Sequence, residues 1–271
     1  MKTRVISALV GLPLLIIFVL LGGLPLKIAI LLLSMIGQYE FYKAFSGFIK
    51  PVHYIGFVAS FIYLSMIERI IYTASVMNVF ITLFMLAILI YVVITHESKN
   101  TMDGIVTFFG FFYVCFMLSH VYLTQQYTYG HIFVWLIFLS AFGCDIGAYC
   151  TGMLFGKHKL MPDLSPKKTV EGAIGGVIIA SCICVIYGVV LESKNTHAGV
   201  DTVLLCFLTG LIGSIFSQIG DLAASAMKRY ADIKDFGRIM PGHGGVLDRF
   251  DSVIFVAPVV YYCMFYLITV L

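Results

Sequence analysis

Nine apolar runs separated by short polar stretches leave this chain only one kind of architecture. They cover residues 5–21, 25–45, 52–67, 76–95, 104–122, 131–152, 171–191, 202–227 and 253–270. Several approach the roughly 20 apolar residues that a helix needs to cross a hydrocarbon core about 30 Å thick. Inside lipid, backbone N–H and C=O groups must be satisfied within the segment, so spans of this kind are helices. The predicted fold is an all-α, polytopic membrane bundle of about nine transmembrane helices. With 61% hydrophobic and only 11% charged residues, a soluble fold is excluded. Spans two and three are the weakest, because Glu40 and Lys43 interrupt one and the other is short. The start, MKTRVISALVGLPLLIIFVLLGG, has the basic head and apolar run of a signal peptide. No A-x-A cleavage motif follows, so it reads as an uncleaved first span.

Orientation follows from Lys and Arg. With nine spans, fourteen of these residues fall on the N-terminal side of the membrane and three on the other. Without the loops 153–170 and 228–252 the ratio is five to three, with the same sign. The N-terminus is therefore expected in the cytoplasm, with both polar loops on the cytoplasmic face. A net charge of +3 does not imply nucleic acid, and none is expected as a partner. The seven cysteines lie inside or beside apolar runs without a CxxC pattern, which reads as small buried hydrophobes. No linker or repeat divides the chain, so 1–271 reads as one domain. Its first 130 residues form a scaffold without legible chemistry, Glu40 being the one other acid near a span interior. Residues 131–271 carry the catalytic helices and loops.

Charge and glycine gather in SAMKRYADIKDFGRIMPGHGGVLDRFD, residues 225–251, where nine of 27 side chains are ionised. Asp221, just before it, and Ser225, Lys228 and Arg229 at its start are spaced to share one helical face. An acid inside a span costs about 2.5–3.5 kcal/mol on insertion scales and so faces a cavity or a partner. Gly242, Gly244 and Gly245 admit close backbone approach or positive φ, and Asp248, Arg249 and Asp251 open the last span. In the other loop Asp145 lies at the cytoplasmic end of span six. Ser165-Pro166 has the form of a helix N-cap, which would put Lys167, Lys168 and Thr169 in the first turn of an anion site. A basic stretch touching anionic lipid headgroups is the plainer alternative for these lysines. Acids for a divalent cation, cations for several phosphates and glycines for close contact suit phosphoryl or nucleotidyl transfer.

These residues closely resemble the signature of the phosphatidate cytidylyltransferases, also called CDP-diacylglycerol synthases. The pattern S-x-x-K-R-x4-K-D, a small residue, then P-x-H-G-G-x-x-D-R-x-D runs here from Ser225 to Asp251, and Met240 is its one loose fit. GDLxxS (Gly220 to Ser225) and SPKKTxEG (Ser165 to Gly172) look like further family motifs. The resemblance implies conversion of CTP and phosphatidate to CDP-diacylglycerol and pyrophosphate by an Mg²⁺-dependent, all-helical, homodimeric enzyme. It implies a bacterial inner membrane location, with room for a second metal or a monovalent cation. Read onto this chain, it gives Asp221 and Asp248 to the metal, with Asp145 as a further contributor. Lys167, Lys168, Lys228, Arg229 and Arg249 would neutralise phosphate, with Ser165 in the same phosphate-binding motif. Ser225 and His243 would hydrogen-bond phosphate oxygens, and Gly244 and Gly245 would admit the triphosphate. The nearest alternative is a CTP-dependent enzyme acting on another lipid phosphate, such as an isoprenoid ether lipid. A CDP-alcohol phosphatidyltransferase is disfavoured because Asp103-Gly104 is not followed by the Ala-Arg of its DGxxAR motif. A transporter using Asp145 and Asp221 as pathway acids is disfavoured because the charges gather in two loops on one face.

Overall fold

A computed structural model describes residues 2–194, 201–240 and 244–270, and in it the apolar runs are helices. The first half contains α1 (Lys2–Leu21), α2 (Gly23–Phe45), α3 (His53–Ser65), α4 (Ile67–Tyr72) and α5 (Ala74–Ile94). Then α6 (Thr101–Gly110) widens into a π-helical segment, Phe111–Phe116, before α7 (Met117–Gln126). The second half holds α8 (Gly130–Phe133), α9 (Trp135–Phe155), α10 (Val170–Ser193), α11 (Thr202–Tyr230) and α12 (Leu247–Val270). Among the described residues seven helical stretches are long and apolar enough to cross a membrane, and α3 is a shorter apolar helix. The chain is thus an all-α integral membrane bundle.

Two local expectations need correction. Ser165-Pro166 does not cap a helix. Ser165–Thr169 is a strand, β2, paired antiparallel with β1 (Lys159–Met161), with Lys159 opposite Thr169 and Met161 opposite Ser165. The helix begins later because Thr169 is the better cap. Its hydroxyl accepts the Gly172 N–H at 3.1 Å. Glu171 then draws the chain back, accepting the Lys157 and His158 amides and bonding the His158 ring at 2.6 Å. The second correction concerns Asp145, which is not at the end of its span. Ten residues of α9 follow it, roughly 15 Å at 1.5 Å per residue.

Helices α9, α10 and α11 pack side by side, and α12 lies against α11, α7 and α9. Polar groups tie this half together inside the apolar layer, where each unmet bond would be costly. Gln218 donates to the Ala173 carbonyl at 2.9 Å, and the Cys144 thiol donates to that of Ser214 at 3.4 Å. All seven cysteines are free thiols. In the first half an aromatic core forms around Phe41, Tyr42, Tyr63 and Phe111. There the Tyr42 hydroxyl bonds the Thr107 carbonyl at 2.8 Å.

At the other end of α2 from Glu40, Lys27 bonds both Glu68 oxygens at 2.8 Å, and the Tyr122 hydroxyl donates to Glu68 Oε1 at 2.6 Å. Burial raises the Glu68 carboxyl, but these bonds outweigh it and hold the group below its ordinary value of 4.5. A depressed carboxylate contributes stability that is present above its unfolded pKa and lost as pH falls through its folded one. Glu68→Gln is therefore expected to destabilise the protein by up to about 1 kcal/mol at neutral pH, the scale of a partly exposed pair. Thermal unfolding in detergent should show this gap closing as pH falls below about 4. A gap unchanged at acid pH would mean the charge on Glu68 contributes nothing.

Candidate active site

Three helices deliver four aspartates to one place. Gly220 of α11 makes this possible, because a Cβ there would stand 2.7 Å from the Asp251 carbonyl oxygen and 2.9 Å from the Phe255 ring. With hydrogen in that position α11 closes on α12, and Asp221 comes within electrostatic range of Asp251 and of Asp145 on α9. The Ser252 hydroxyl donates to Asp145 Oδ2 at 3.4 Å and links α12 to α9. Asp251 is buried, and the one described hydrogen bond to its carboxylate comes from the next amide, Ser252 N, at 2.9 Å. Asp145 is accessible because it opens into a cavity.

The remaining two acids are already paired. Lys168 Nζ lies 2.5 Å from Asp221 Oδ2, joining the end of β2 to α11. Lys228 Nζ lies 2.8 Å from Asp248 Oδ1. Asp248 Oδ2 also accepts the Phe236 and Gly245 amides at 2.8 and 3.0 Å, so this side chain gathers the glycine loop onto the start of α12. Gly244 sits at φ +91°, a conformation that L side chains rarely adopt, and its carbonyl accepts the Met240 amide at 3.0 Å.

Other candidates frame this centre. Arg229 is exposed and reaches the Leu164 carbonyl at 3.5 Å, which docks the hairpin turn against α11. Lys167 is exposed beside half-buried Ser165, and neither makes an ion pair among the described residues. Ser225 is half-buried one turn beyond Asp221. Arg249 is exposed, lines the cavity and acts electrostatically on Asp145. His243, with Pro241 and Gly242, lies outside the described residues.

The cavity measures about 540 Å³. Its polar end is made by Asp145, Asp248, Arg249 and Asp251, and its body by apolar side chains of α1, α2, α7 and α9, among them Leu14, Phe18, Ile30, Val121 and Phe138. A pocket so divided takes an amphipathic ligand, with its charged head at the acids and its hydrocarbon among the helices.

Four carboxylates here face three nearby cations, Lys168, Lys228 and Arg249, before any anionic ligand arrives. The donors are all oxygen, which suits a hard divalent cation such as Mg²⁺ rather than a softer metal. Among the described residues no three Asp, Glu, His or Cys side chains are already gathered to hold an ion.

The sequence alone gives no role to three more side chains at this centre. Asp251 falls within the loop signature, yet nothing in the spacing distinguishes it from a helix-capping acid. Tyr113, on the π-helical segment, is 4% exposed, faces Asp251, Asp248 and Asp221, and its hydroxyl has no hydrogen-bond partner among the described residues. Such segments recur at functional sites. Glu40, from α2, accepts the Val246 and Leu247 amides.

A family model described as "Cytidylyltransferase family" matches residues 2–267. The phosphatidate cytidylyltransferase of Bacillus subtilis (strain 168) is 35% identical over 186 residues, covering 68% of this chain and 67% of that protein. That of Staphylococcus haemolyticus (strain JCSC1435) is 40% identical over 171 residues, 63% of each chain. The protein of the same name from Staphylococcus aureus (strain COL) is 34% identical over 259 residues, 95% of this chain and 96% of its own length.

Proposed function

This chain belongs to the cytidylyltransferase family, and from that premise we propose how its aspartate-lined cavity works as a phosphatidate cytidylyltransferase. It is a CTP-dependent nucleotidyltransferase of the membrane. CTP and phosphatidate are converted to CDP-diacylglycerol and pyrophosphate. A phosphatidate oxygen forms a bond to the α-phosphorus of CTP as the bond from that phosphorus to the bridging oxygen breaks and pyrophosphate leaves.

The observation that carries this reading is the cavity, charged at one end and hydrocarbon along its body. Acyl chains stay among α1, α2, α7 and α9 while the phosphate head meets the acids. Asp221 and Asp248, with Asp145, would hold Mg²⁺, and Asp251 completes the negative wall. Bound there, the ion would supply neutralisation of phosphate charge, with a second metal or a monovalent cation as a further expected ligand. Lys168 and Lys228, which pair with Asp221 and Asp248 in this structure, would bind phosphate oxygens of the substrates. Lys167, Arg229 and Arg249 hold phosphates at the rim, Ser225 and His243 donate to phosphate oxygens, Ser165 supports the Lys167–Lys168 strand, and Gly244 and Gly245 leave space for the triphosphate.

The bundle has nine spans when α1 and α3 are counted with the seven longer stretches. Its N-terminus and catalytic face look into the cytoplasm of a bacterial inner membrane, where CTP is available. The protein works as a homodimer and needs no nucleic acid.

Purified protein in detergent should turn CTP and phosphatidate into a CMP-bearing lipid, and chelation of divalent cations should abolish the reaction. Product from an isoprenoid ether phosphate but none from phosphatidate would overturn the substrate assignment. Turnover undiminished by chelation would overturn the metal.

A further inference from the structure

The α12 helix begins without a local cap. Gly245 has no side chain and Val246 has no acceptor, so the first amides of the helix would be buried donors without partners. Glu40 supplies what is missing from 206 residues away. Its Oε1 accepts Val246 N at 3.0 Å and its Oε2 accepts Leu247 N at 2.8 Å. The residue is 2% exposed and has no ion-pair partner among the described residues. The backbone at Gly237 and Gly245 packs directly on the carboxylate, so that a Cβ on either would collide with it. A negative group at a helix N-terminus is also favoured by the helix dipole.

Four described amides on either side of residues 241–243 are thus held by two carboxylates. Asp248 takes Phe236 and Gly245, while Glu40 takes Val246 and Leu247. Asp248, Arg249 and Asp251 all project from the turn that Glu40 caps, and all three line the cavity. From this geometry we infer that Glu40 is a positioning residue for the reaction. It fixes the height and rotation of the first turn of α12, and so the aim of Asp248 and Asp251. The inference rests on the proposed metal role of Asp248 and on Asp251 as part of the same negative wall. It brings α2, in the half of the chain without legible chemistry, into the control of the site.

Glu40→Gln is the informative change, because it keeps the shape and turns one acceptor into an amide donor facing a backbone N–H. Outer contacts of this kind govern metal affinity by roughly 10–100-fold. Two quantities should be read per folded protein: the divalent-ion concentration giving half-maximal turnover, and Mn²⁺ binding by electron paramagnetic resonance without CTP. Both constants are expected to rise about tenfold or more, and Gly237→Ala, which displaces the carboxylate without changing it, should move them the same way. A cap that merely stabilised the fold would lower the amount of folded protein and leave both constants at wild-type values, and that result overturns the inference. If neither variant folds, Glu40 serves the fold and not the site, and the inference falls as well. A wild-type protein with no divalent requirement would instead overturn the metal reading itself.

Discussion

Asp221→Asn protein should insert and fold as the wild type does while losing on the order of 10²–10³-fold in turnover, the scale of removing one preorganised electrostatic group. The side chain keeps its volume, so the contact between α11 and α12 at Gly220 is undisturbed. Electrostatically the change removes one of three mutually repelling carboxylates, the others being Asp145 and Asp251. It also leaves Lys168 without its ion-pair partner. These effects oppose each other, so thermal stability in detergent should stay near wild type while the reaction is lost. Initial rates at saturating CTP, compared with melting of the same preparation, separate the two. Wild-type turnover by Asp221→Asn would remove this residue from the metal site.

A different signature is expected for Lys228→Met. The Lys228–Asp248 pair is well shielded, with side-chain exposures of 14% and 2%. Removing one partner of a buried pair costs about 3–5 kcal/mol because the other charge is stranded. Asp248 keeps two amide donors, so the low end of that range applies. The variant should therefore unfold faster in detergent and also lose activity. Pairing it with Asp248→Asn removes the stranded charge and should recover most of the lost stability without recovering turnover. A single variant as long-lived as wild type, or a double variant no better than the single, would contradict the pairing.

The helices were legible because lipid admits so few backbone solutions that an apolar run of sufficient length already names its own structure. The same logic gave poor resolution at the ends. Asp145 reads as lying at the cytoplasmic end of a span that closes at 152, yet α9 continues to Phe155. Ser165–Thr169 looked like a helix start, but its conformation depends on pairing with Lys159–Met161 and on Glu171 holding the Lys157 and His158 amides. Neither contact has a local signal.

The chemistry divides in a similar way. A dense mixture of lysine, aspartate and glycine between two spans is a statement about function that residue types alone can make, because nothing else offsets the cost of placing it beside lipid. Which charges meet is another matter. Lys168 finds Asp221, Lys228 finds Asp248, and Glu40 reaches an amide 206 residues further on.

Residue order alone therefore determined a membrane bundle and the kinds of atoms its site employs, since burial cost and backbone satisfaction act along a single segment. Only the packing of α2, α9, α11 and α12 decided which acids converge, which are neutralised and where the cavity opens. Those outcomes depend on distances between segments remote in the chain, and Coulomb and hydrogen-bond energies fall off too steeply for composition to foretell them.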